Sequence, residues 1–252
     1  MFAPDELTDD GFLGGALMIL QPRRGYRAAT DPVLLAAAVP AKAGQSVLEL
    51  GCGAGVASLC LGRRIPGLAL TGLELQPAYA ALARENALRN GLALDVHDGD
   101  IADLPEPLKR GFDHVMMNPP YYAPGTGSPA RDTGRETALR EATPLAHWIG
   151  TATRRLHPGG MLTLIVGADR LPECLAGFGP QLGSVTVLPL APRAGRDATR
   201  VIILARKGGR AAFRLAAAFL MHDGTAHDVD RDSYSMPAAQ ILRGAGTFPP
   251  RL

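Results

Sequence analysis

The stretch SVLELGCGAGVASLCLGRR, residues 46–64, decides how the rest of the chain is read. Val47, Leu48 and Leu50 belong to an apolar run of strand length, and Gly51, Gly53 and Gly55 follow it. From Val56 to Arg64 the apolar spacing becomes that of a helix. Strand, tight glycine turn and helix in this order open a βαβ unit. Glycines there let a ligand come close to the backbone, and the helix N-terminus offers free N–H donors. The spacing is G-x-G-x-G. A dinucleotide fingerprint would need its third glycine at position 56, where Val56 stands, and no G-K-S/T is present to cradle phosphates. Taken alone, such a triplet marks only a tight turn, so its neighbours must decide.

Outward from this unit, strands and helices alternate. LALTGLEL (68–75) reads as a strand and QPAYAALARENALRNG (76–91) as a helix, with Pro77 near the first turn and Gly91 near the C-terminal cap. LALDVHDGD (92–100) and FDHVMM (112–117) are strands. The helix 144–156 stops at His157-Pro158-Gly159-Gly160 and leads to the strand 161–166. A helix over 171–179 precedes the strands 184–190 and 199–207, which have no long helix between them. Alternation of this kind predicts an α/β fold. The expected architecture is a Rossmann-like, doubly wound, mainly parallel seven-stranded sheet with an antiparallel edge. Residues 1–43 form a hairpin and helix extension, 44–207 the cofactor-binding core and 208–252 a C-terminal appendage, all expected to make one domain. Ligands of such sheets sit outside the carboxyl ends of the strands.

Bulk properties exclude several classes. No run of about 18 apolar residues is present to span a membrane. Met1 opens a segment with Asp5, Glu6, Asp9 and Asp10, the wrong sign for a signal or transit peptide. Cys52, Cys60 and Cys174 are odd in number and lack metal-type spacing, which points to a reducing cytoplasm and to no metal site. Net charge is only +2, from 26 basic and 24 acidic residues, so the distribution matters more than the total. Arg193, Arg196, Arg200, Arg206, Lys207, Arg210 and Arg214 face a single acid, Asp197, and Arg23, Arg24 and Arg27 form a second cluster. Arginine matches phosphate geometry, although a charge run can equally be a solvated face.

Three successive strand ends carry acids: Glu49, Glu74 about 20 residues on, and Asp100 followed by Ile101. A carboxylate at Glu74 can take ribose hydroxyls. One at Asp100 can accept from an adenine amine while Ile101 packs on the ring. The fourth strand then runs into Asn118-Pro119-Pro120-Tyr121-Tyr122. The two prolines have no N–H and fix φ, and the first holds Asn118 extended. A rigid exit that presents an amide and an aromatic ring exceeds what a plain turn needs.

With LELGCGAG, Glu74, Asp100 and NPPY in this order, residues from about Gln45 to Lys207 resemble the class I S-adenosylmethionine-dependent methyltransferases. The NPPY stretch is similar to that of enzymes methylating planar amines and amides. The flanks DGFLGGALMILQPRRGYRAATDPVLLAAAV and ILRGAG further resemble a bacterial group of tRNA adenine methyltransferases that modify a valine tRNA next to its anticodon. The resemblance implies S-adenosylmethionine as cofactor, bound by Glu49, Gly51, Gly53, Glu74, Asp100, Ile101 and Asn118, with Thr30 and Asp31 near its methionine end. It implies RNA, and specifically tRNA, as substrate.

An adenine 6-amino group is a poor nucleophile because its lone pair is delocalised into the ring. Acceptors at its two N–H bonds would make the nitrogen more pyramidal and electron-rich, and the Asn118 oxygen and Pro119 carbonyl can be those acceptors. Tyr121 can stack on an extruded base. Pro120, Tyr121, Tyr122, Arg193, Arg206, Lys207 and Arg210 are the candidate substrate-binding residues, with Arg131, Arg135 and Arg140 in a glycine-bearing flap. No general base is assigned; Asp31 before Pro32 reads as a helix cap. The six histidines and Trp148 read as structural, and His222-Asp223-Gly224 as a hairpin turn. Two alternatives share the electronic requirement: a protein glutamine-amide methyltransferase and a DNA adenine methyltransferase. Against the first, the glycine loop begins after only about 50 residues, without room for the helical N-terminal domain that release-factor enzymes carry. The oligomeric state is not legible.

Overall fold

A computed structural model describes residues 1–120, 143–224 and 233–248. The chain opens with β1 (Leu7–Phe12) and β2 (Leu17–Pro22), an antiparallel hairpin, followed by α1 (Asp31–Ala38). The core runs β3 (Ser46–Leu50), α2 (Val56–Arg64), β4 (Ala69–Glu74), α3 (Pro77–Arg89), β5 (Asp95–Asp98) and β6 (Phe112–Met117). It continues with α4 (Leu145–Arg155), β7 (Leu156–Gly167), α5 (Leu171–Gly177), β8 (Leu182–Ala191) and β9 (Arg200–Lys207). Two short strands, β10 (Arg214–Leu215) and β11 (Phe219–Leu220), and α6 (Met236–Leu242) follow.

The sheet order is β10-β8-β9-β7-β6-β3-β4-β5, with β11 also on β8. β3 to β7 pair in parallel, and β9 lies antiparallel between β7 and β8. The expected seven strands and antiparallel edge are therefore all present. The sheet nevertheless has nine strands: β10 and β11 cover the outer edge of β8 and take up hydrogen-bonding groups it would otherwise leave bare. The helix stop at 157–160 holds, since α4 ends at Arg155, but those residues already belong to β7. Gly160 permits this, because a Cβ there would lie 2.8 Å from the Asp113 carbonyl of the neighbouring strand. Lys207 closes the end of α4, its Nζ donating to the Thr153 and Leu156 carbonyls at 2.8 Å each.

Alternation along the strands feeds two apolar layers. Val47, Met116, Ile165 and Ile202 face α1, α2 and the N-terminal extension, while Leu48, Leu50, Val115, Met117 and Ile203 face α4 and α5. The hairpin joins the first layer through Leu17 and Ile19, and the appendage joins it through Ile241 and Phe248. β2 also docks through two asparagines one turn apart, Asn86 on α3 and Asn90 at its C-cap. Asn86 exchanges hydrogen bonds with the Leu20 backbone N–H (2.8 Å) and carbonyl (3.0 Å), and Asn90 does the same with Met18 (2.9 and 2.8 Å). Both side chains act as a strand partner for β2. Asn86 reaches further, donating to the Ala54 carbonyl inside the glycine turn at 3.1 Å, so the hairpin and that turn share one anchor.

Candidate active site at the strand ends

Between β3 and β6 the winding direction reverses, and here the carboxyl ends of β3, β4 and β6 border a cleft of about 900 Å³ including its open mouth. Its floor is the glycine turn. Gly51, Gly53 and Gly55 have φ of 70°, 54° and 84°, and the Gly51 and Cys52 N–H groups both donate to the Leu73 carbonyl at 2.9 Å. A side chain at Gly51 would also displace the Trp148 ring, because a Cβ would stand 2.9 Å from it.

Two carboxylates enter the cleft. Glu49 is buried; its Oε2 accepts from the Ser58 N–H at 3.0 Å and hydroxyl at 2.5 Å. Burial dominates these bonds and pushes its pKa up to about 8, with the neighbouring Glu74 adding to the rise. Glu74 accepts from the Gly53 N–H at 2.8 Å and the Gln76 N–H at 2.9 Å. Its pKa is raised as well, mainly by burial and against the pull of those backbone donors. Uncompensated acids in a cleft favour a ligand bearing positive charge or hydroxyl donors.

Asn118 stands at the end of β6. Its Nδ2 lies 3.5 Å from the Tyr26 hydroxyl, and its Oδ1 is buried without a donor among the described residues. A buried acceptor left open costs roughly 1–3 kcal/mol, which a bound N–H would recover. The Pro119-Pro120 exit is pinned: the Pro120 carbonyl accepts from Arg170 at 2.7 Å, and buried Arg170 is held by Glu173 at 2.8–3.0 Å. Proline rings fix φ at 119 and 120, so this bond holds one of the few remaining soft torsions.

Glu49, Gly51, Gly53, Glu74, Asn118, Pro119 and Pro120 thus share one cleft. Asp100 and Ile101 stand beyond β5, outside its lining. Asp100 is exposed and accepts from the Ala102 N–H at 2.8 Å, while Ile101 is buried in the α4-side layer. Thr30 and Asp31 border a different cavity. Asp31 does not cap α1: it is the helix's first residue and pairs with Arg200 at 3.1 Å, a charge partner that a backbone N–H cannot match. Ala28 and Pro32, on either side, do line the cleft. Tyr121, Tyr122 and the flap arginines lie outside the described residues.

The basic candidates separate. Arg193 is buried, fastening the appendage through the Asp223 carbonyl and the Ser233 hydroxyl, the latter at 2.8 Å. Arg206 and Lys207 end β9, which runs antiparallel to β7. Arg206 faces Met161 while Arg200 faces Gly167. Six residues of strand, ~20 Å, therefore separate them from the cleft end, and Arg210 follows beyond. These four do not meet the site.

Two aromatic residues were not legible as site residues. Trp148, read from the sequence as structural, is half-buried on the cleft wall, and its Nε1 has no acceptor among the described residues. Tyr26 lines the cleft from the loop after β2, held by the Tyr79 hydroxyl, which accepts from its N–H at 2.9 Å and donates to its carbonyl at 3.1 Å. A helical position or a loop tyrosine carries no mark of the distant surface it will meet.

A family model described as the methyltransferase small domain matches residues 29–176. The tRNA1(Val) (adenine(37)-N6)-methyltransferase of Dickeya chrysanthemi is 27% identical over 217 residues, covering 84% of this chain and 85% of its own. Its namesake in Yersinia enterocolitica is 28% identical over 223 residues, 82% and 84% of the two chains. The solved structure of a predicted O-methyltransferase from Agrobacterium tumefaciens aligns with TM-score 0.71 at 25% identity, covering 88% of this chain and 100% of that one. A T. thermophilus 16S rRNA N2 G1207 methyltransferase, solved with AdoMet and guanosine, shares the fold at TM-score 0.55 and 20% identity, over 80% of this chain and 50% of its own.

Proposed function

The chain belongs to the methyltransferase small domain family and uses S-adenosylmethionine; on that premise we propose that it methylates the 6-amino group of an adenine in RNA, beside the anticodon of a tRNA. The observation that carries this reading is the Asn118 Oδ1, buried and open at the end of β6. Only an N–H or O–H donor satisfies such an oxygen, and an exocyclic amine brings two N–H bonds to the two acceptors available, Asn118 Oδ1 and the adjoining Pro119 carbonyl. Relatives named for adenine-37 of a valine tRNA, aligned over more than four-fifths of this chain, support the choice of an adenine in RNA.

The residues lining the cleft fit the cofactor. The glycine floor leaves room for close approach, Glu74 offers acceptors to ribose hydroxyls, and Glu49 supplies a carboxylate for a cation. Bound there, the cofactor provides an activated sulfonium methyl. The protein's part is positioning. Asn118 and Pro119 orient the amine lone pair and gain strength as positive charge develops on nitrogen, while Arg170 holds the Pro120 carbonyl. The N-methylated cation is acidic enough to lose its proton to water, so no side chain is needed as base. The enzyme is expected to work in the cytoplasm, where its tRNA substrate is found.

The test is incubation with methyl-labelled cofactor and either total tRNA or release factors, followed by nucleoside mass spectrometry. Label recovered as N6-methyladenosine in tRNA supports the reading. Label on a protein glutamine, with none on RNA, replaces it by the amide alternative.

A further inference from the structure

Several arginines of the hairpin, α3 and the sheet are already matched. Arg27 pairs with Asp10 at 2.7 Å, Arg89 with Asp9 at 2.6 Å, and Arg84 with Asp98. Arg200 is committed to Asp31, and Arg170 and Arg193 are buried. At the cleft end of the hairpin and of the antiparallel edge, three exposed guanidinium groups have no carboxylate partner among the described residues. Arg23 donates only to the Asp5 carbonyl at 2.9 Å, and Arg24 and Arg196 have no side-chain partner among the described residues.

Their placement is what matters. Arg23 and Arg24 lie within three residues of Tyr26, whose hydroxyl lies 3.5 Å from the Asn118 amide nitrogen. Arg196 lies in the connection 192–199 between β8 and β9, at the same end of the sheet. β9 neighbours β7, and β7 neighbours the strand that ends at Asn118, a lateral step of ~10 Å at the usual strand spacing. Guanidinium groups without an ion-pair partner among the described residues therefore flank Asn118 on two sides, from the hairpin and from the antiparallel edge. The expected basic group at 206–210 sits at the opposite end of the sheet.

We propose that Arg23, Arg24 and Arg196 hold the backbone phosphates of the RNA on either side of the nucleotide presented to Asn118. This rests on the reading of the substrate as RNA. The structure then assigns Arg206 and Arg210 no part in binding. Guanidinium groups free of carboxylates give up no ion pair when they meet a phosphate, so their charge is available to displace counterions.

The experiment is fluorescence anisotropy with unmodified tRNA across a salt series. Compared are the wild type, R24E, R23E/R24E/R196E and R206E/R210E. Trp148, the single tryptophan, lies in the cleft and reports cofactor binding in each protein by its emission. The triple variant is expected to bind at least ~10-fold more weakly at low salt, with its log–log salt slope reduced by about 2, at ~0.7 per phosphate contact. R24E, which breaks no side-chain bond among the described residues, should give a smaller change in the same direction, and R206E/R210E should match the wild type. Cofactor response should persist throughout. Weakening by R206E/R210E equal to that of the triple variant, or an unaltered slope in the triple variant, overturns the proposal. A wild-type protein that neither binds tRNA nor labels it fails the substrate reading instead, whatever the variants do.

Discussion

Asn118 and Glu49 carry opposite kinds of incompleteness, and each leads to a measurement. On the proposed reading, the open Asn118 acceptor is filled by the substrate amine and holds it more strongly as charge develops in the transition state. Asn118→Ala is therefore expected to lower turnover by ~100-fold or more, the scale of losing one preorganised polar group, with cofactor affinity within a few-fold of wild type. Equilibrium titration of Trp148 emission beside single-turnover rates checks this; an equal loss of cofactor binding would place the amide on the cofactor instead. Glu49 is a buried acid whose protonated form is favoured by folding. With a folded pKa of about 8 against an ordinary 4.5, its stabilising contribution is complete below pH 4.5 and is lost as pH rises through about 8. The cofactor-free protein should thus lose stability between about pH 5 and pH 8.5 relative to Glu49→Gln, by an amount on the order of a few kcal/mol. Parallel stability curves from urea unfolding across that range would show that the carboxylate is not held in this state.

At the level of elements, the site is a meeting of a turn, a strand exit and a loop from the hairpin. The glycine turn and the exit at Asn118 were legible because their residues have few other uses: consecutive glycines after a strand, and two prolines that end one. The hairpin's contribution was not. Its position depends on Asn86, completely buried on α3, whose amide serves Leu20 on β2 and Ala54 in the glycine turn. Asn86→Ala would leave several backbone groups without partners and should cost ~2–3 kcal/mol. Because Tyr26 follows β2, the same substitution should reduce methyl transfer more than cofactor affinity. Chemical denaturation and a comparison of kcat with cofactor affinity test both parts, and unchanged stability would mean the asparagine does not anchor the hairpin.

On the scale of the molecule, the N-terminal extension and the appendage contribute to one apolar layer with the core, through Leu17 and Ile19 on one side and Ile241 and Phe248 on the other. Arg64 on α2 ties the appendage down, donating to the Ile241 carbonyl and to the Gly246 carbonyl, the latter at 2.7 Å. We propose that the three parts form one domain, and calorimetry should then give a single transition with equal calorimetric and van't Hoff enthalpies. Two resolved transitions would separate an appended unit from the core. What the sequence determined by itself was the order of strands and helices, the antiparallel edge, the glycine turn and the placing of Glu49, Glu74 and Asn118 on strands or at their ends. Such features are written in local periodicity and in residue types with narrow backbone uses. Only the tertiary structure decided which distant side chains reach the cleft. Tyr26 and Trp148 enter it, Asp31 is drawn to Arg200, and reversal of chain direction at β9 carries Arg206, Lys207 and Arg210 to the far end. The reason is that charge and aromatic character are properties of a residue, whereas proximity depends on strand direction and on which layer packs where.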